Sequence, residues 1–382
     1  MPEGLLVGLR VLDLADDPGA RAARILGDLG AAVIRVVPAD GDPLHGNVAR
    51  AWNAGKDVRV LGADAPELDE LLASADVVFD TPFARGVHVL DPGRAPHAVW
   101  VSITPFGRTG PRESWRASDL GVMAASGNMF CTGDPDRAPI RCTEPTGYGH
   151  TGPEAALAAL TALWTDVPHR VDVSMQEVVI ISNMAGPAPF PKTGFRGQRR
   201  GANIGRTREI WPTKDGFVSF GLRGGKARVA SLELIAKLAD LPPRDWSQFN
   251  QNTATDEELK DLEERLATYF SQQTMQELYD IACETNLMLA PANSPREILN
   301  SAQLAARDFF GPVDGVERFP RSFVVARSAD GEVAPARPRA GAAPWRSGGG
   351  RSTAAPTGRK AWDGLKLLEF GSGAAGPIAT RY

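Results

Sequence analysis

The chain has 382 residues, of which 43% are hydrophobic and 23% charged. That apolar fraction excludes disorder along the whole length and supplies two or three domains of about 100–200 residues each. Forty-two basic residues against 46 acidic ones leave a net charge of −4, so no general positive field points to a nucleic acid.

No apolar run approaches the roughly 20 residues of a membrane span. The opening Met1-Pro2-Glu3-Gly4 lacks the basic and apolar parts of a secretory leader. Cys131, Cys142 and Cys283 show no C-x-x-C spacing, which argues against a disulfide framework or a zinc clasp. The five histidines form no H-E-x-x-H motif or close pair, so no metal is expected. A cytoplasmic protein is expected, with neither membrane nor nucleic acid as partner.

In chain order, Leu9 to Leu14 reads as a strand that stops at Asp16-Asp17-Pro18-Gly19. Ala22, Ile25, Leu26 and Leu29 then recur at helical spacing from Ala20 to Leu29, and Gly30 ends that helix. Ala32 to Val37 is a second strand. Strand, helix and strand within about 30 residues make a βαβ unit, the building block of a parallel sheet. The pattern continues with a helix at Leu68–Ser74, strands at Asp76–Phe79 and Ala98–Ile103, and a helix at Pro153–Trp164. A strand at Val171–Ser174 and a helix at Gln176–Met184 complete this part. The texture then becomes more helical, with a strand at Phe217–Phe220 and helices at Ala227–Ala239, Asp256–Ser271, Met275–Thr285 and from Pro295 towards Phe310.

The expected organisation is a large α/β domain over 1–200 with an open, mostly parallel sheet, and a smaller α+β domain over 201–333. Residues 334–361, rich in Ala, Pro, Gly and Ser, read as a linker. Gly364-Leu365-Lys366-Leu367-Leu368-Glu369-Phe370 then repeats Gly8-Leu9-Arg10-Val11-Leu12-Asp13-Leu14 at an offset of 356 (364 − 8). With one inserted residue, Ala379-Thr380-Arg381 also matches Ala22-Ala23-Arg24. Residues 362–382 therefore read as the start of a second copy of the domain pair.

The strand-turn-helix opening invites a dinucleotide site, but Ala15 to Arg21 contains no G-x-G-x-x-G and sets two acidic residues where a pyrophosphate would lie. Several segments together instead resemble the family III coenzyme A transferases, the carnitine- and formyl-CoA transferase group, whose fold is shared with α-methylacyl-CoA racemases. They include Gly8–Leu14, Leu26–Val36, Asn53-Ala54-Gly55-Lys56, Ser102–Pro111, Ser118-Asp119-Leu120, Thr132–Asp136, Val171–Ser174 and Pro295 to Phe310. The resemblance implies interlocking ring-like chains, acyl-CoA and a small carboxylic acid as substrates, and an aspartate that attacks the thioester. It implies CoA as the only cofactor-like group. The expected assembly is a homodimer, or an intramolecular pseudo-dimer with a second copy.

At the decisive column this sequence departs from the family. Counting back from Leu157–Leu160 through Gly149, the nucleophile position falls on Pro145. Glu144 is adjacent and is the candidate catalytic residue, or else an ordinary loop carboxylate. A racemase centre needs a histidine before Asp119, where Ser118 stands. For CoA binding, the resemblance singles out Lys56 and Arg85 for phosphate, Arg24 on the first helix, and Thr81 in place of an asparagine. Pro38 and Val37 stand where the family has arginine and glutamate. Gly201 to Arg206 occupies the place of the family's glycine loop, with Gly201 and Gly205 either in a flap over the thioester or in a backbone-driven turn. Three readings stay open: a CoA transferase half without its nucleophile, an enzyme that uses Glu144, or a non-catalytic acyl-CoA-binding or assembly module. A racemase-like isomerase is a further alternative.

Overall fold

The computed structural model describes residues 4–165, 167–182, 194, 197–321, 323–327, 329, 331, 333–335, 344–345 and 360–371. Most of the 334–361 linker, the last residues of the helix expected up to Met184, and Ala379-Thr380-Arg381 lie outside the described residues. The chain forms two compact units. One gathers Met1–Ser126, Thr143–Asn183 and Asp308–Tyr382, and the other Gly127–Cys142 and Met184–Arg307.

The first unit is built on six parallel strands: β1 (Arg10–Leu14), β2 (Ala32–Val37), β3 (Asp57–Val60), β4 (Val77–Asp80), β5 (Val99–Thr104) and β6 (Arg170–Ser174). Their order is β3-β2-β1-β4-β5-β6. The four inner strands are buried at every residue, as expected for a sheet covered on both faces. That is why Val-Val-Phe and Val-Trp-Val are legible in the sequence as strands. The edges read less clearly, because Asp57-Val58-Arg59-Val60 alternates half-buried with exposed and resembles a loop.

Helices α1 (Asp17–Asp28) and α5 (Thr146–Trp164) lie together, with Ala20, Ala22, Ala23, Leu26, Ala155, Ala156 and Ala159 buried. Between them in the chain come α2 (Gly46–Asn53), α3 (Pro66–Ser74) and α4 (Asp119–Ala125), and α6 (Met175–Ser182) comes after β6. Helix α3 supplies Leu68, Leu71 and Leu72 to a core with Leu12, Leu14, Ile34, Val36, Val78 and Trp100. Gly30 closes α1 at φ +114, and a Cβ there would lie 2.8 Å from the Gly4 Cα, so only glycine fits the turn. After the second unit the chain returns as a hairpin, Phe310–Val313 with Val316–Pro320. Phe319 and Val313 of this hairpin pack on Ala54.

Helix α5 begins seven residues before the expected Pro153. A proline inside a helix normally marks a start, yet here Pro145 is the N-cap and Pro153 lies within. The stretch expected as one helix from Pro295 is two short ones, Pro295–Leu299 and Ala302–Ala306. Ser301 stops the first and caps the second through the Leu304 N–H. The Ser294 cap is present as a full capping box with Glu297.

In the second unit, Ile210–Pro212, Phe217–Phe220 and Leu289–Pro291 form an antiparallel sheet. The helix Asp256–Ser271 buries Leu259, Leu262, Leu266 and Phe270, one stripe at helical spacing. Trp211 is anchored inside this core by donating its indole N–H to the Phe220 carbonyl at 2.7 Å.

The contact between α1 and α5 depends on Gly152. A Cβ there would sit 2.7 Å from the Arg21 Cβ and 3.3 Å from the Pro18 carbonyl oxygen. Gly152→Ala is therefore expected to cost about 1–3 kcal/mol, read as a lower urea midpoint at unchanged slope. An unchanged midpoint would contradict this packing.

Candidate functional site

The strand order reverses between β1 and β4, and the loops leaving their carboxyl ends diverge there. Open α/β sheets bind ligands in that crevice. Here it is made by Ala15-Asp16-Asp17 after β1 and by Thr81 after β4. The Asp16 N–H donates to the Thr81 hydroxyl at 2.8 Å and ties the two loops together.

A buried charge network holds this end of the sheet. Asp13 is opposite Arg35 in the β1–β2 register. Its Oδ2 accepts from Arg35 Nη1 at 3.1 Å and from Lys56 Nζ at 2.8 Å. Burial works to raise the Asp13 carboxyl, but Lys56 and Arg35 overcome it and hold it below the ordinary value. Lys56 falls to about 8, because burial outweighs the pull of Asp13. Arg35 also reaches the Ala15 carbonyl at 2.8 Å and Asp42 at 2.7 Å, so one guanidinium fixes the β1 loop and the turn after β2.

Two carboxyls in this region lack such support. Asp16 Oδ1 is buried without a hydrogen-bond partner, and burial pushes its carboxyl up to about 6. Both oxygens of Asp80 are buried and unpartnered, as are Trp100 Nε1 and Thr104 Oγ1. Burial raises the Asp80 carboxyl, partly offset by nearby Ser102, Trp100 and Arg108. Asp80 lies in register with Ser102, and Ser102 with Asp172, a polar row across three strands.

The N-terminus of α5 faces the same place. Its Tyr148 hydroxyl is raised to about 12, by burial first and by Asp16 next. The N-cap is Pro145, with no side-chain cap of its own. The Tyr148 N–H instead donates to Asp119 Oδ1 at 3.0 Å, while the Asp119 N–H donates to the Tyr148 hydroxyl at 3.1 Å. An aspartate from α4 thus occupies the anion position that a helix N-terminus favours. Nothing in the sequence spacing pairs Asp119 with Tyr148, 29 residues away. Asp16 was legible only as a charge at odds with phosphate.

The residues singled out from sequence fall in several settings. Glu144 is exposed, one residue outside the N-cap. Arg24 is buried, paired with Asp28 at 2.7 Å and bonded to the Ala51 carbonyl, with its guanidinium 5.0 Å from the Phe319 ring centre. Lys56 is equally enclosed, with the Ala20 carbonyl as its second partner at 2.8 Å. Thr81 is the loop tie, and Arg85 is exposed beside Gly86. Lys56 and Thr81 therefore meet at the β1 end. Gly201 and Gly205 belong to the second unit; Gly201 precedes a short hairpin, Asn203–Ile204 with Thr207–Arg208, and Gly205 sits in its turn. Both take positive φ, +55 and +70. Arg206 pins this hairpin through the Gln251 and Ala254 carbonyls at 2.8 Å each.

Asp16 gives the crevice a pH signature. Its folded value of about 6 lies above the ordinary 3.8, so between these values the folded chain keeps a proton that the unfolded chain has released. The stability this carboxyl contributes is complete below about pH 4 and is lost as pH rises through 6. Asp16→Asn should therefore gain on the wild type by roughly 1–1.5 kcal/mol between pH 5 and 8, measured as urea midpoints across pH. A difference that does not change with pH would contradict a carboxyl raised by its burial.

Known proteins share this architecture. The fold matches a CaiB/BaiF family protein from Brucella suis, with a TM-score of 0.70 at 23% identity over 88% of this chain and 96% of that one. The sequence is 25% identical over 337 residues to a succinyl-CoA:(R)-benzylsuccinate CoA-transferase subunit of Thauera aromatica, covering 79% of this chain and 82% of the relative. It is 28% identical over 345 residues to a succinate–glutarate CoA-transferase of Agrobacterium fabrum, covering 79% and 83%. A probable CoA-transferase of Mycobacterium tuberculosis is 31% identical over 245 residues, 55% of this chain but only 31% of that relative. The family model for CoA-transferase family III matches residues 6–344. With the switch-point sheet and the ordered motifs behind it, that match makes this chain a member of CoA-transferase family III.

Proposed function

We propose that the chain takes part in moving coenzyme A between an acyl-CoA and a free carboxylic acid, as the half of a pair that keeps the scaffold without the attacking carboxylate. The observation that carries this reading is Pro145 at the N-cap of α5. In the family reaction a carboxylate oxygen bonds to the thioester carbonyl carbon and the C–S bond breaks. CoA then leaves as a thiolate and the acyl group stays as a mixed anhydride. Proline has no oxygen with which to form that bond.

The neighbouring carboxylates are poorly suited to replace it. Asp119 is engaged in capping Tyr148, and Glu144 stands in solvent outside the helix. The aspartate then comes from a second, non-identical copy, fused in tandem or carried on a separate chain, because a second copy of this chain brings Pro145 again. The succinyl-CoA relatives favour a dicarboxylic acyl group. Arg85, an exposed cation, is the side chain best able to meet a CoA phosphate. Arg24 and Lys56 stiffen the site through their buried partners. Three free cysteines suit a reducing cytoplasm.

A CoA-transfer assay with succinyl-CoA and a panel of carboxylate acceptors tests this. The wild-type chain should stay at background, Glu144→Gln should change nothing, and Pro145→Asp should raise turnover at least roughly tenfold, or about 1.4 kcal/mol of barrier. Wild-type turnover that Glu144→Gln abolishes would replace this reading with a glutamate nucleophile.

A further inference from the structure

The segment that repeats β1 is also built like the entrance to β1. Gly8 and Gly364 both take positive φ, +90 and +80. The Leu9 N–H donates to the Leu6 carbonyl at 3.1 Å, and the Leu365 N–H donates to the Trp362 carbonyl at 2.9 Å. One turn earlier, Val7 N–H to Gly4 O is matched by Asp363 N–H to Lys360 O. All these pairs lie at the same 356-residue offset as the sequence match. The hydrogen-bond pattern of the turn, its closing glycine and the side-chain pattern therefore recur together, although Trp362 takes φ +62 where Leu6 takes no positive φ.

Beyond the two turns the surroundings differ completely. Val11, Leu12 and Leu14 are 0%, 0% and 2% exposed between β2 and β4, whereas Leu367, Leu368 and Phe370 are 70%, 81% and 90% exposed. Residues 365–370 are not part of any strand formed among the described residues. Three large apolar side chains within four residues form an exposed patch of the kind that marks an interaction surface. The entrance turn itself is seated, with Trp362 against Trp164 at 5.1 Å between ring centres. It borders a largely apolar groove of about 870 Å³ whose walls include Leu157, Thr161, Val171 and Leu365.

We propose that residues 364–370 are the first strand of a second α/β unit of the same architecture, and that this unit's counterparts of β2 and β4 flank the segment in parallel and cover Leu367, Leu368 and Phe370. The repeat names the occupant, because it specifies a central strand whose neighbours are known from the first copy. An isolated edge or a peptide ligand would not require the β1 entrance turn. The identity of the partner rests on the paired-copy reading of the function, but the strand assignment rests on the turn and the repeat alone.

The test joins the chain's own residues 15–335 after Phe370, in place of 371–382, so that the segment stands where β1 stands in the first copy. Amide hydrogen exchange is followed at 365–370 and, in the same molecule, at 10–14. The expected result is slowing at 365–370 by at least roughly a hundredfold relative to the 382-residue chain, approaching the protection of 10–14. Leu368→Asp in the extended chain, at an exposed position of the 382-residue protein, should abolish that protection and leave 10–14 protected. Exchange at 365–370 as fast as in the shorter chain overturns the proposal, whether or not the appended residues fold. No turnover enters the readout, so failure here leaves the assignment of CoA transfer untouched, and an inactive enzyme leaves this assignment untouched.

Discussion

An α-helix begins with N–H groups that have no partner inside it, and how α5 satisfies them governs the chemistry open to this protein. A carboxylate at the N-cap would meet those donors and at the same time stand at the switch point of the sheet, ready to attack. Pro145 offers no acceptor side chain there, and Asp119 from α4 supplies the acceptor instead. The electrostatic demand of the helix is met, so the fold keeps its geometry with no reactive group at the N-cap itself.

The rest of the crevice is rigid for a related reason. Asp13, Arg35, Lys56 and Asp42 are linked around the end of β1. Removing one member of such a buried set leaves an uncompensated charge, a loss of about 3–5 kcal/mol. Basic residues that a sequence comparison assigns to phosphate therefore have structural work of their own, and Arg24 with Asp28 repeats the pattern on α1. Against this stiff frame, both oxygens of Asp80 and one of Asp16 find no partner. A folded chain tolerates such groups at a cost, and functional crevices are where they are usually found.

The inner sheet was readable because both faces of a parallel strand are buried, so Val77-Val78-Phe79 and Val99-Trp100-Val101 appear as unbroken apolar runs. Helices with one apolar stripe were equally plain, and Asp256–Ser271 agrees at both ends. Short, half-exposed pieces escaped notice: β3 alternates with charge, and α2 has no buried residue. The start of α5 was obscured by Pro153, since local rules treat proline as a first-turn residue and cannot see a cap supplied from another helix. At the site, the proline that the order of motifs sets at the nucleophile column, Pro145, is the N-cap of α5. The Asp119–Tyr148 exchange and the ion network were not legible, because each joins residues that only the fold brings together.

The central claim is that no side chain of this protein forms a covalent link with an acyl group or with CoA at the α5 N-terminus. Intact-protein mass spectrometry after incubation with succinyl-CoA and borohydride reduction tests it directly, since reduction converts a carboxyl held as anhydride or thioester into an alcohol. The account predicts a mass identical to that of the untreated chain. A reduced carboxyl mapped by peptide digestion to Asp119, Glu144 or Asp16 would contradict it.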